Sequence, residues 1–412
     1  MNKALWRYFL GSLMLIFGLS VYVTGVAAPL ATETATRTST RTPTPSPASA
    51  RGIGTPTPTL TPSLTPTITP SPTATPGPSP TPTTLLLAQT GTPLPSRLAP
   101  ITSANAAQVS GLAIWQVKDV TDLAWAPDGV TLAVAGFDSI GLFDLRSRQR
   151  VRTLYPKPGV VSIAFSPAGN WLVAGSRVGN EKKGLTGFIQ IWSGPYWRPL
   201  GPYLADRRGV SDLAFLPDGS RLAVAYPSLE ILQDGTVEFI DPTTWRDVRT
   251  LDTGTALKIA FSPDGNFLAT VPDHYATYIW RMKDKKLLFK LRTSFVGAVS
   301  SLAFSPDNKL LATGNYDGTI NLWSLDKGNL LGSMKAGGVV ESLAFSPDGS
   351  LLASGDVYSD NAIRLWDTKS YQLLRTLEGH THGVDNLTFS PDGQVLVSAS
   401  FDGAVRLWGV RP

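Results

Sequence analysis

The sequence contains no cysteine, only three histidines, and charged residues at only 16% of its 412 positions. Without thiols, disulfides, thiolate metal sites and cysteine nucleophiles are excluded, so the hydrophobic core alone must stabilise the fold. Of the histidines, His380 and His382 share one loop and His274 is isolated. No carboxylate pair or metal-ligand cluster accompanies them in the sequence. We therefore expect no metal, no cofactor and no catalytic residues.

Basic charge is concentrated at the N-terminal end. The net charge is +5, but residues 1–111 hold six basic residues and one acidic residue, so residues 112–412 are neutral. A basic patch that could bind nucleic acid is therefore not expected.

The N-terminus has the pattern of an export segment. Lys3 and Arg7 precede an uncharged, mostly apolar run from Tyr8 to Ala28. Residues 1–31 are either a signal peptide cleaved near Ala28 or an uncleaved transmembrane anchor, and both place the remaining chain outside the cytoplasmic membrane. We expect contact with the membrane through this segment only. Export without cysteine favours a bacterial source.

Two segments separate this region from the rest of the chain. Residues 32–84 are mostly Thr, Pro, Ser and Ala, which cannot form a packed core, so we expect a disordered, extended stalk. Residues 85–111 are a bridge in which a short helix is expected, with Ser103 as N-cap and Gly111 at its end.

One motif recurs seven times between Leu123 and Gly393: a short apolar strand followed by a turn such as SPDG. Its prolines are separated by 40, 50, 46, 43, 41 and 44 residues. A period in the low forties with several strands per copy predicts an all-β, seven-bladed propeller of four-stranded antiparallel blades over residues 112–412. Because Ser or Asp is absent from some copies, the motif is interpreted as turn chemistry rather than an active site.

The strand count predicts how the ring closes. Seven first, second and third strands follow residue 119, but only six fourth strands. Residues 112–117 are expected to supply the missing strand to the last blade, so a chain starting at Thr121 should be unstable or aggregate.

Residues 112–412 resemble the WD-repeat β-propellers. The third strands carry Trp192, Trp280, Trp323, Trp366 and Trp408 at one position, and the last repeat matches the family pattern most fully. The resemblance implies a structural tetrad in which His380, Ser398, Asp402 and Trp408 are joined by hydrogen bonds. Other blades lack the matching His or Asp, as at Phe295, Ala336 and His274, and are expected to rely on packing.

The irregular loops indicate where a partner could bind. Blades two and three have long irregular segments, and those of blade two contain Tyr, Trp and Arg, the residue types enriched in binding hot spots. We expect these segments on one face of the ring. Alternatively, the loops vary in length without binding a ligand, and Trp197 and Tyr203 pack into their own blade. The candidate residues are Arg177, Lys182, Lys183, Tyr196, Trp197, Arg198, Tyr203, Arg207 and Arg208.

These observations favour a monomeric, non-catalytic interaction scaffold that binds a protein or peptide. Two alternatives stay open: a propeller hydrolase or lyase with a site in the central channel, and an assembly or sensing module of the cell envelope.

Overall fold

The computed structural model describes residues 98–180, 184–200, 204–206, 209–227, 236–254, 256–273, 276–292 and 298–411. The predicted export segment and stalk lie outside these residues. No helix in the described part of the chain has both the length and the apolarity needed to cross a membrane.

A short segment precedes the first strand and packs on the last two blades. It contains one turn of 3₁₀ helix, Ala106–Gln108, whose N-cap residue is Asn105. The prediction of Ser103 as N-cap is therefore wrong. The Ser103 amide instead donates to Ser350 Oγ at 3.0 Å, and the strand that follows begins at Ser110, so only one helical turn fits.

The strands form seven antiparallel sheets, as the repeat predicts. Strand β1 is Ser110–Gln116. The strands of blade one are β2 (Val120–Trp125), β3 (Thr131–Gly136), β4 (Ile140–Asp144) and β5 (Gln149–Leu154). The strands of blade two are β6 (Val160–Phe165), β7 (Trp171–Asn180), β8 (Gly184–Ser193), β9 (Arg198–Pro199) and β10 (Leu204–Asp206). The strands of blade three are β11 (Asp212–Phe215), β12 (Leu222–Tyr226), β13 (Thr236–Asp241) and β14 (Arg246–Asp252).

The remaining blades follow the same order. The strands of blade four are β15 (Ile259–Phe261), β16 (Phe267–Asp273), β17 (Ala276–Arg281) and β18 (Lys286–Arg292). The strands of blade five are β19 (Val299–Phe304), β20 (Leu310–Asn315), β21 (Thr319–Ser324) and β22 (Leu330–Lys335). The strands of blade six are β23 (Val339–Phe345), β24 (Leu351–Val357), β25 (Ile363–Asp367) and β26 (Leu373–Leu377). The strands of blade seven are β27 (Val384–Phe389), β28 (Leu396–Ser400) and β29 (Ala404–Gly409).

The N-terminal strand completes the last blade, which confirms the predicted closure. Blade seven has the order β1-β29-β28-β27, and β1 pairs antiparallel with β29. The first strand of every blade contacts the first strands of both neighbours, including β27 with β2. These seven strands are therefore the innermost strands, and they surround the central channel.

The recurring turns stabilise the ring on one face. In the last copy, Ser390 Oγ donates to Asp392 Oδ1 at 2.6 Å and accepts from the Val395 amide at 3.0 Å, so two polar side chains hold the turn. Gly393 has φ +70°, which glycine adopts without strain. A Cβ there would lie 3.3 Å from Pro347 of the preceding turn. The same contact between glycine and preceding proline recurs around the ring and closes at Gly129 against Pro391.

Apolar residues fill the spaces between neighbouring blades. Between blades seven and one, for example, Trp115 and Leu407 pack with Leu132, Val134 and Phe143. Each sheet is covered on both faces by its neighbours, so the blades depend on one another for stability.

Candidate functional site at the channel mouth

The ring has two distinct faces. We define the turn face as the one that carries the SPDG-type turns and the connections between third and fourth strands. The loop face carries the connections between second and third strands, and those that enter each innermost strand. Function is expected among loops held by a rigid scaffold, so the placement of the candidate residues on these faces matters.

The structure separates the predicted partner-binding residues. Arg177 lies in β7 next to the loop face. Tyr196 and Trp197 lie in the connection from β8 to β9, on the turn face, and Arg198 is the first residue of β9. The Gly194 amide donates to Asn170 O, just after an SPDG-type turn, at 2.9 Å. The expectation that all of these residues share one face is wrong, because successive connections in an antiparallel blade emerge on alternating faces.

Trp197 packs against its own blade. Its ring meets Phe165 edge-on with centroids 5.4 Å apart, and it borders the core between blades one and two. Tyr196 is 66% exposed, and Arg198 is also exposed. The other candidates, Lys182, Lys183, Tyr203, Arg207 and Arg208, lie outside the described residues.

The four tetrad residues are joined by hydrogen bonds in blade seven. His380 Nδ1 lies 2.9 Å from Asp402 Oδ2, and His380 Nε2 lies 2.8 Å from Ser398 Oγ. Trp408 Nε1 donates to the same hydroxyl at 2.8 Å. Burial lowers the pKa of His380, although the Asp402 carboxylate opposes that effect. The arrangement satisfies a buried imidazole and a buried indole, which is a structural task.

One of these three hydrogen bonds, that from the indole to the hydroxyl, persists where the His or Asp is absent. Trp280 donates to Thr270, Trp323 to Thr313 and Trp366 to Ser354, at 2.9 to 3.0 Å. These blades therefore keep the indole–hydroxyl bond in addition to the packing that was expected to replace the full polar chain. The indole needs a hydroxyl on the neighbouring strand, and that strand supplies one without the rest of the tetrad.

A ring of charged side chains in the channel is the feature that the sequence analysis missed. These residues lie one or two positions before the apolar triplet of the innermost strand, one position in blades one, three and four and two positions in blades six and seven. They are Asp122, Asp212, Lys258, Glu341 and Asp385. The four carboxylates keep partial solvent access and Lys258 is exposed, although protein surrounds all five. This combination is expected of side chains that project into a channel.

A repeated β-bulge places residues at the channel. In blades six and seven, the pairing with the second strand shifts at Glu341, between Val340 and Ser342, and at Asp385, between Val384 and Asn386. A bulge sets two residues against one on the partner strand and redirects side chains. This local geometry explains how two consecutive residues of one strand can both lie on the channel side.

Some of these channel-side residues join neighbouring blades. Asp122 Oδ2 accepts from the Ile163 amide at 2.7 Å, and Asp212 Oδ2 accepts from the Ile259 amide at 2.9 Å. Ser342 Oγ accepts from the Leu387 amide at 2.7 Å in the same way. These side chains therefore have a structural role at the inner rim.

Glu341 and Asp385 have no such partner. Within the described residues, neither side chain makes a hydrogen bond to another residue or an ion pair within 4 Å. The Oδ1 atom of Asp385 is fully shielded from solvent and has no hydrogen-bond partner. An unpaired, shielded carboxylate oxygen costs free energy, so it calls for an explanation.

The channel electrostatics follow from burial and charge imbalance. Burial raises the pKa of Asp122 to about 6, with a further increase from the charge of Asp212. Burial also raises the pKa of Asp385 well above its usual value, with Glu341 and Asp122 adding to the effect, and it raises that of Glu341. Burial alone would lower the pKa of Lys258, but the carboxylates, Asp212 foremost, hold it above its usual value. Lys258 therefore stays charged.

Exposed aromatic side chains lie in the connections of the loop face. They lie in blades one, six and seven, which are consecutive across the closure of the ring. They are Phe137 (41% exposed), Tyr155 (75%), Tyr358 (68%) and Phe401 (48%). We call these four residues the aromatic arc. Other exposed large apolar side chains are Tyr196 on the turn face and aliphatic residues of outer strands, such as Leu330 and Leu373.

These observations define the class of protein: a seven-bladed, four-stranded β-propeller closed by its N-terminal strand. Comparison with protein families adds that residues 148–193, 286–324, 328–367 and 371–409 match the WD40 family, described as WD domain, G-beta repeat. The chain thus carries WD40 repeats. No curated protein matches the sequence significantly.

The matched segments correspond to blades two, five, six and seven. Each runs from the fourth strand of one blade to the third strand of the next, and each ends at a third strand that contains tryptophan. Blades one and three have Phe143 and Ile240 at that position, whereas blade four has Trp280 although its first three strands also lie outside the matched segments. In the described residues, no group of three His, Asp or Glu side chains is placed to hold a metal ion.

Proposed function

We propose that this protein is a non-catalytic interaction scaffold that binds a protein or peptide through the loop face. The observation that carries the proposal is the aromatic arc. Four of the five exposed aromatic side chains in the described residues lie on this face, in three consecutive blades. Aromatic side chains provide large contact areas at low cost in conformational entropy and are enriched in binding hot spots.

Two further observations support the proposal. WD40 propellers are typically scaffolds for protein interactions, and this chain carries their repeats. The SPDG-type turns have a structural role on the turn face, whereas the residues of the aromatic arc belong neither to the tetrad nor to the inner-rim contacts.

We also propose that the ring is displayed outside the cytoplasmic membrane as a monomer on a Thr/Pro-rich stalk. The support is the sequence alone: the apolar run from Tyr8 to Ala28 behind Lys3 and Arg7, followed by the stalk. Fractionation of cells that express the full-length chain, with protease added outside intact cells, tests this placement. Protection of the ring from the protease would contradict it.

Capture of a partner tests the binding proposal. The full-length chain is cross-linked in its native cells, and captured proteins are quantified by mass spectrometry for the wild type and for a Tyr358→Ala/Phe401→Ala double variant. We expect the double variant to lose at least about tenfold of the captured partner, as removal of two hot-spot side chains does.

The matched control is a Leu330→Ala/Leu373→Ala double variant, which removes side chains of similar exposure, 48% and 45%, from outer strands. This variant should capture the partner as the wild type does. Equal capture by both double variants would refute the loop face as the binding surface.

A further inference from the structure

The channel ring has more negative than positive groups. Among the described residues, four carboxylates face one ammonium group, that of Lys258, and each of the four lies close enough to influence its charge. Like charges held together inside a protein disfavour ionisation, so such a cluster costs stability unless a cation compensates it. Lys258 can compensate only one of them.

The inner-rim contacts show which carboxylates remain uncompensated. Asp122 and Asp212 accept backbone hydrogen bonds from the next blade, and Asp212 also accepts from Ser162 Oγ at 3.0 Å. Glu341 and Asp385 accept none from another described residue, and the Oδ1 atom of Asp385 is shielded and unpartnered. A structural role therefore accounts for Asp122 and Asp212 but not for Glu341 and Asp385.

Glu341 and Asp385 are neighbours. Their strands, β23 and β27, pack against each other, and the charge of Glu341 raises the pKa of Asp385. Both lie at bulged positions near the loop-face ends of their strands. Glu341 also lies close enough to raise the pKa of Tyr316 and of Tyr358. Two carboxylates without a hydrogen-bond partner among the other described residues therefore lie near one another, and two tyrosine hydroxyls lie near Glu341.

We propose that the loop-face end of the channel binds a cationic side chain, lysine or arginine, of the bound protein, with Glu341 and Asp385 as its counter-charges. The site deepens the proposed function and rests on it. A cation there would supply the missing partner of Asp385 and would offset the repulsion between the carboxylates. The tyrosine rings at the mouth add attraction through their negative faces, which cations favour. Charge-assisted hydrogen bonds to a partly enclosed carboxylate are among the stronger polar contacts.

Short peptides test this site on the full-length chain. The probes are three acetylated, amidated pentapeptides with glycine at four positions and arginine, lysine or citrulline at the centre. Citrulline keeps the shape of arginine without its charge. Saturation-transfer NMR titrations report the affinity and which peptide protons touch the protein. We expect the arginine or the lysine peptide to bind through its side-chain protons, and the citrulline peptide to bind at least about tenfold more weakly.

Variants connect this preference to the two carboxylates. Glu341→Gln/Asp385→Asn should abolish the preference for the charged peptides. The control, Glu378→Gln, removes an exposed carboxylate in the connection before β27, on the same face, and should leave the preference unchanged. Thermal melting shows whether each variant is folded, and the single variant Glu341→Gln provides a second test if the double variant melts early.

Equal binding of the citrulline and arginine peptides would overturn the inference, as would an unchanged preference in both Glu341→Gln and the double variant. The partner capture described above separates the two proposals. Capture that depends on the aromatic arc but not on the carboxylates would refute only the cation site, whereas capture that ignores the aromatic arc would refute the proposed function.

Discussion

Replacement of Trp115 by alanine should destabilise the ring at its closure. Trp115 lies in β1 and is only 1% exposed. Its ring stacks on Phe143 of blade one with centroids 4.6 Å apart and an interplanar angle of 22°. Its Nε1 donates to the Arg148 carbonyl at 2.9 Å. This one side chain therefore links the closing strand to blade one through both packing and a hydrogen bond.

The structure sets the size of the effect. Truncation of a buried tryptophan to alanine costs about 3–5 kcal/mol, and a buried carbonyl without its donor adds about 1 kcal/mol. Trp115→Phe keeps an aromatic ring against Phe143 and removes the donor, so it should cost much less than Trp115→Ala. The difference between the two variants reports the packing contribution.

Urea unfolding of the full-length chain, followed by far-UV circular dichroism, measures these changes as shifts of the transition midpoint. Tyr155→Ala, at an aromatic residue that is 75% exposed, is the control and should change the free energy of unfolding by less than about 0.5 kcal/mol. A loss below about 1 kcal/mol for Trp115→Ala would refute the reasoning, because the closing strand would then contribute little to the ring.

Four further predictions concern stability. Removal of the imidazole in His380→Ala leaves buried partners unpaired and should lower the free energy of unfolding by about 2 kcal/mol, measured by the same urea transitions. Because burial lowers the pKa of His380, its contribution is complete above about pH 6.5 and is lost as the pH falls below that value, so the wild type should lose stability there while His380→Ala should lose less. Because burial raises the pKa of Glu341 and Asp385, their ionisation costs stability as the pH rises through the raised values. Glu341→Gln and Asp385→Asn should therefore melt at or above the wild-type temperature at pH 7.5, and a clear decrease would contradict the account. A chain that starts at Thr121 lacks β1 and should aggregate or melt well below the full-length chain; equal melting would contradict closure by that strand.

The repeated motif explains why the fold could be predicted from the sequence. Each SPDG-type turn marks the end of one innermost strand, so the number of turns gives the number of blades. The strand count then identifies β1 as the closing strand. These inferences depend on local chemistry, namely a proline, a hydroxyl–carboxylate pair and a glycine with positive φ, which the sequence displays directly.

The candidate site was harder to predict for two physical reasons. The composition of loops suggested blades two and three, but alternation of faces in an antiparallel blade places Tyr196 and Arg198 away from Arg177. The channel carboxylates were missed because a bulge, which the alternating pattern of a strand does not reveal, redirects Glu341 and Asp385. A signal was present, since both are charged residues in otherwise apolar innermost strands.

Site-specific photo-crosslinking tests the central claim, binding at the loop face, most directly. A photoreactive amino acid replaces Tyr358 on the loop face, Tyr196 on the turn face or Leu330 on an outer strand, each in the full-length chain in its native cells. These three side chains are 68%, 66% and 48% exposed, so exposure alone does not favour one strongly. We predict a crosslinked partner protein from position 358 and none from the other two. A partner crosslinked from position 196 or 330, with none from 358, would contradict the account.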